Sequence, residues 1–180
     1  MKINIGSGIA RIEGFLNVDS DSLCNPDYIV NLETDLLPFD DNTIEEVRAH
    51  NILEHIGPGF FHLIKELYRV CKDGALIDIV VPHPFHDVFY GDLTHVRPIT
   101  VQSLRQLSKT ISDYEKDKFS NWSGHANILD VDFEIVRFEY DFDEEFIKRN
   151  KNTPHEDIEW MIRSTNNAVK EIKVLMMVNK

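Results

Sequence analysis

Two groups of residues in this chain have the types and spacing for chemistry. The first is Gly6-Ser7-Gly8, which follows directly on Ile3-Asn4-Ile5. Glycine accepts backbone turns that other residues resist and lets a ligand approach the main chain closely. A Gly-x-Gly turn that closes a buried strand is a place for a nucleotide to lie. Asp19 ends the next apolar run and Asp35 follows the third. A carboxylate at such a strand end can accept hydrogen bonds from ribose hydroxyls. The second group is the segment from His83 to Arg97, which holds His83, His86, Asp87, Asp92 and His95. Histidine changes charge near neutral pH and is the natural general base. The same side chains could bind a metal, but the reading adopted is metal-free. His95 removes a proton from an acceptor, Asp92 orients its ring, and His86 or His83 is the substitute. Each residue also has a plain reading: the glycines as a turn, the aspartates as caps, Asp92 and His95 as ties to neighbouring backbone.

These residues need elements to position them. Lys2–Ile5 reads as a buried strand. Ile9–Gly14 leaves room for about two helical turns at most. Further strands are expected at Phe15–Asp19, Tyr28–Leu32 and Ile44–Ala49. Asn51–Ile56 reads as a short helix, with Glu54 and His55 starting or capping it. Phe60, Leu63, Ile64, Leu67 and Cys71 fall at helical spacing, and Gly74 is placed to end that helix. Ala75–Val81 is nearly all apolar, as a strand buried on both faces would be. Thr100 is placed to cap a helix through Leu107. Lys109–Asn127 reads as loop with helical turns. Asp132–Phe142 alternates as a strand, and its aromatics, with Phe60 and Phe61, are expected in the core. A helix is expected from Thr153-Pro154 to about Thr165, and a last strand at Glu171–Asn179. Strands alternating with helices imply a Rossmann-like, doubly wound α/β fold with a mostly parallel sheet in one domain over 1–180.

The kind of nucleotide is narrowed by what the turn lacks. The third glycine of a dinucleotide fingerprint is replaced by Arg11, the helix after it is nearly absent, and Asp19 comes early. No Gly-x-x-x-x-Gly-Lys-Ser/Thr run is present. The turn suits an adenosine ligand without a pyrophosphate.

Five stretches carry a family resemblance: Ile3–Gly8, Gly14–Asp19, Leu37–Val47, Asn51–His55 and Glu66–Val70. Together they resemble class I S-adenosylmethionine-dependent methyltransferases, and more narrowly the small methyltransferase-11-like proteins of bacteria and phages. The resemblance covers roughly Met1 to Leu107. It implies a seven-stranded sheet in three α/β/α layers with a terminal antiparallel strand. It implies S-adenosylmethionine as cofactor. Gly6, Ser7 and Gly8 would meet its methionine part, Asp19 its ribose, Asp35 and Leu36 its adenine, and His50 and Asn51 would lie near the sulfonium. Related proteins also carry an Asp-x-Thr-His-x-Arg element, here Asp92–Arg97. The family's helix before the first strand is missing, and its Lys-Pro-Gly-Gly turn reads Lys72-Asp-Gly-Ala75.

The expected activity is methyl transfer to a small-molecule or glycan-like acceptor, at oxygen or nitrogen. The alternative is a non-catalytic methyltransferase-like binding subunit or sensor working through a partner protein, and a homodimer or a partner subunit is the assembly expected. A nicotinamide-linked oxidoreductase is disfavoured by Arg11 and the short first helix. The net charge of −12 gives no general attraction for phosphate backbones or anionic membranes. Cys24 and Cys71 are far apart and read as free thiols. With no long apolar segment, a cytoplasmic location is expected.

Overall fold

The structure is a computed structural model that describes residues 1–116, 118 and 124–180. Seven strands form one sheet: β1 (Lys2–Ile5), β2 (Leu16–Asp19), β3 (Tyr28–Ile29), β4 (Ile44–His50), β5 (Cys71–Pro82), β6 (Phe133–Phe142) and β7 (Val169–Val178). Their order is β3-β2-β1-β4-β5-β7-β6. The pairs from β3 through β5 are parallel, and β7 runs antiparallel to both β5 and β6. The chain turns left from β1 to β2 and right from β4 to β5. The crevice at that switch, beyond the carboxyl ends of the strands, is where open α/β sheets bind ligands.

Register makes one face of this sheet apolar. Ile3 pairs with Val47, Val47 with Ile77 and Ile77 with Met176; Ile5, Ala49, Ile79 and Val174 make the next row. All eight are buried. The helix α1 (Phe60–Val70) lays Leu63, Ile64 and Leu67 into the same core. Leu104 joins it from α3 (Val101–Arg105), which follows α2 (Asp87–Gly91). Thr100 caps α3 in a reciprocal box with Ser103, as its sequence leads one to expect.

The opposite face is different: it is polar at the sheet centre. Glu46, Arg48 and His50 of β4 point there and are only half-buried, as is Asp78 of β5. Lys173 on β7 and Glu139 on β6 are exposed beside them. Where a helix would follow β1, residues 7–15 form turns pinned to the strands below. Asn4 Nδ2 donates to Ala10 O (3.2 Å) and Asn17 Oδ1 (3.1 Å). Asp27 accepts from Asn17 N–H (2.7 Å) and pairs with Arg11 (2.6 Å). Those bonds, the Asn17 amide first, hold its carboxyl down at about 2.

Several local expectations need correction. Helix α1 ends at Val70, and Cys71 is already extended. Gly74 therefore does not stop the helix. It lies within β5 at φ 74°, where the register against β4 shifts, a bulge position that suits glycine. The third strand is only two residues long. Of the aromatics in β6 only Phe133 is buried, because β6 is a sheet edge. Phe60 is buried but Phe61 is exposed and stacks on His125. The polar stretch after Lys109 contains α4 (Lys109–Lys116) and runs into α5 (His125–Leu129); its residues 117 and 119–123 lie outside those described. Near the end, α6 (Glu144–Arg149), capped by Asp143, precedes α7 (His155–Ser164).

Candidate active site

The turn after β1 is built from two left-handed glycines, Gly6 at φ 59° and Gly8 at φ 50°. Their surroundings differ. A Cβ on Gly6 would stand 2.6 Å from Ile52 Cβ, whereas a Cβ on Gly8 would meet nothing within 4 Å. Gly6 is thus packed against the segment leaving β4, and Gly8 faces open space. Ser7 is buried and its N–H donates to Val18 O at 3.2 Å. The Gly8 N–H donates to Asp19 Oδ2 at 2.7 Å, and Asp21 N–H donates to Asp19 Oδ1 at 2.9 Å. A carboxylate has about four lone-pair positions, so Asp19 can fix this turn and still accept from a ligand.

Asn51 follows β4 in a left-handed conformation, φ 53°, with its N–H on Val80 O. Gly6, Ser7, Gly8, Asp19 and Asn51 therefore gather at one edge of the sheet. Asp35 does less than expected. Its carboxylate closes its own turn, accepting from Asn31 N–H (2.9 Å) and Thr34 Oγ1 (3.0 Å), beside the exposed Leu36. His50 is turned onto the uncovered face, with Nε2 2.8 Å from Asp78 Oδ2. The Leu37–Phe39 strip is held from α1. Buried Glu66 accepts from Leu37 N–H (2.8 Å), and Arg69 joins Glu66 (2.8 Å), Leu37 O (3.0 Å) and Phe39 O (2.9 Å). Arg69 holds the Glu66 carboxyl below its usual range.

The histidine segment folds back on a 3₁₀ turn at Leu53–His55. Val96 N–H and Arg97 N–H both donate to Glu54 O, and Arg97 bonds the carbonyls of Ile56 and Gly57. Asp92 does not orient His95 as expected. Its Oδ1 accepts from Thr94 N–H (2.8 Å) and Thr94 Oγ1 (2.6 Å), and these bonds lower its pKa. The His95 ring is set instead by Nδ1–H donating to Phe89 O at 2.8 Å. Its Nε2 lies 3.9 Å from both Glu54 Oε1 and Asp92 Oδ2. His86 is a cap: Nδ1 accepts from Val88 N–H, while Nε2 faces Asp143 Oδ2 at 3.5 Å, on the α6 side. His83 Nδ1 accepts from Phe85 N–H, and burial lowers its pKa.

Sequence reasoning gave Glu54 the role of starting or capping a short helix, and the structure buries it. Its side chain is 1% exposed, neither carboxylate oxygen has a hydrogen-bond partner, and burial pushes its pKa up to about 7. The only signal was an acid next to a histidine just after a buried strand.

No family model matches the chain, and no curated protein does. Similarity to solved structures is extensive. A SAM-dependent methyltransferase from Archaeoglobus fulgidus superposes with a TM-score of 0.62 at 20% identity, covering 98% of this chain and 85% of that one. This chain has the methyltransferase fold. The plantazolicin methyltransferase BpumL, solved with SAH, gives a TM-score of 0.52 at 12% identity over 99% of this chain and 76% of that one. The [4+2]-cyclase SpnF gives 0.57 at 13% identity over 99% and 75%. The methyltransferase fold thus also carries other chemistry, and activity has to be argued from the site. The mixed seven-stranded sheet expected from the sequence is the one these neighbours share. Among the described residues, no helix is long and apolar enough to cross a membrane.

Proposed function

We propose that this chain, working as one domain, binds S-adenosylmethionine and transfers its methyl group to a small-molecule or glycan-like acceptor, at oxygen or nitrogen. The observation that carries the reading is the Gly8 N–H bond to Asp19 Oδ2 at the carboxyl edge of β1 and β2. It locks a glycine turn that is open on the Gly8 side beside a carboxylate with acceptor capacity to spare. Gly6, Ser7 and Gly8 would line the methionine part and Asp19 would take the ribose hydroxyls. The Asn51 backbone would approach the sulfonium. The adenine would lie by the Asn31–Leu36 turn, with Asp35 shaping the backbone and Leu36 giving apolar cover. The bound sulfonium supplies a methyl carbon already reactive toward in-line displacement. This chain's residues then have mainly to align donor and acceptor and exclude water. Acceptor deprotonation is not routed through His95, because its free nitrogen faces Glu54 rather than open space.

Calorimetric titration with S-adenosylhomocysteine tests the cofactor. Saturable 1:1 binding is expected, and its absence would end the reading. A second reading, a cofactor-binding subunit without turnover of its own, is favoured by the uncovered polar sheet face around Arg48, His50 and Asp78. Methyl transfer by the isolated chain to any member of a hydroxyl and amine acceptor panel would exclude it.

A further inference from the structure

We propose that Glu54, His55 and His95 form a binding site for one divalent first-row transition-metal ion. Each places a donor atom within 4.8 Å of the other two. The hydrogen bonds around them determine what those atoms offer. A carbonyl oxygen only accepts, so the bond to Phe89 O makes His95 Nδ1 the donor and leaves Nε2 as the nitrogen open to a metal. The Thr94 hydroxyl has one hydrogen, and at 2.6 Å it goes to Asp92 Oδ1. His55 Nδ1, 2.9 Å from the same hydroxyl, is therefore the donor, which leaves Nε2 as the nitrogen His55 can offer a metal. Both Glu54 oxygens lack any partner although the side chain is 1% exposed. Two imidazole rings and a buried carboxyl group without a hydrogen-bond partner thus meet, and a cation that displaces the Glu54 proton would satisfy all three. A buried carboxylate left this way costs several kcal/mol, and a cation relieves it.

The bond from His95 to Phe89 O is the second contact that metal-bound histidines usually make. Distances agree with a shared ion and not with hydrogen bonds. His95 Nε2 and Glu54 Oε1 are 3.9 Å apart, whereas ligands at about 2.0–2.2 Å from a tetrahedral ion stand about 3.3 Å apart. All three donors lie within 4.8 Å of one another, so the ligands must draw in by up to about an ångström when the ion binds. Two imidazoles and one carboxylate suit zinc, iron or cobalt better than magnesium or calcium. Asp92 Oδ2, also 3.9 Å from His95 Nε2, lies at the exposed rim and balances the charge. The site is independent of the methyl-transfer reading.

The test uses the full chain stripped with a chelator and titrated with Zn²⁺ by calorimetry and Co²⁺ by visible absorption. The expected result is one saturable equivalent, cobalt ligand-field bands, and a melting temperature raised by roughly 5–10 °C at a hundredfold excess over Kd. Glu54→Gln, which keeps the side-chain volume, and His55→Ala should each weaken uptake at least tenfold. His95→Ala should do the same, with far-ultraviolet circular dichroism checking that it folds. Absence of saturable uptake by the wild-type chain overturns the proposal. So does one equivalent bound equally well by Glu54→Gln and His55→Ala, since the ion would then sit on other histidines. S-adenosylhomocysteine binding is measured on the same samples, so failure of the cofactor reading shows separately.

Discussion

Replacing the two glycines of the first turn one at a time should separate folding from binding. Both sit at positive φ, where a side chain costs about 1–2 kcal/mol. For Gly8 that is the whole cost, because its added Cβ meets nothing within 4 Å. For Gly6 the added carbon would overlap Ile52, 2.6 Å away at its Cβ. Ile52 packs against the core, so forcing it aside adds about 1–3 kcal/mol. Gly6→Ala should therefore lose about 2–5 kcal/mol and Gly8→Ala about 1–2 kcal/mol. At this size 1 kcal/mol moves the melting temperature by about 2–4 °C, so the variants should melt visibly apart. Binding should rank the other way. Folded Gly8→Ala should bind S-adenosylhomocysteine at least ten times more weakly, because its methyl group occupies the space proposed for the ligand, and Gly8→Val should abolish binding. Thermal melts with and without S-adenosylhomocysteine, followed by calorimetry, read both quantities. Equal melting temperatures would refute the packing argument. A Gly8→Val chain with wild-type affinity would show that the glycines only turn the chain.

Asp19→Ala should weaken S-adenosylhomocysteine by about ten- to a hundredfold, since hydrogen bonds to a charged group contribute about 1.5–3 kcal/mol; unchanged calorimetric affinity would remove Asp19 from the ribose. Glu66→Ala leaves the Leu37 N–H unpaired and takes from Arg69 one of its two carboxylate partners, Asp41 remaining, so urea unfolding should show a loss of about 1–3 kcal/mol, and no measurable loss would make the link decorative. In chelator-treated protein, Glu54 is protonated in both states below its unfolded value of 4.5, and in the fold it ionises only near 7. Stability should therefore fall by up to about 3 kcal/mol as pH rises through that window, and Glu54→Gln should flatten the decline. A wild-type curve already flat from pH 4.5 to 7 would contradict the burial of an unpaired acid.

The sequence by itself determined the elements whose cause is local. Apolar runs specify β1 and β5, and alternation specifies β6, because side chains on a strand point in turn to its two faces. Apolar spacing of three and four specifies α1, and Thr100 with Ser103 specifies the start of α3. The strand–glycine–strand–aspartate order was enough to bring Gly6–Gly8 and Asp19 to one sheet edge, since parallel neighbours end together. Tertiary structure decided everything that depends on which distant groups meet. Gly74 reads as a helix stop by position, yet pairing with β4 draws the chain straight into β5 and makes it a bulge. Asp92 stands three residues before His95, but Thr94 lies nearer and takes the carboxylate. Glu54 reads as the start or cap of a short helix; the return of Thr94–Arg97 over the turn after β4 buries it beside His95. The uncovered face of the sheet is likewise invisible in a local pattern. At β1 and β2 the Asn4, Asn17, Arg11 and Asp27 bonds hold residues 7–15 in turns where a helix would otherwise lie.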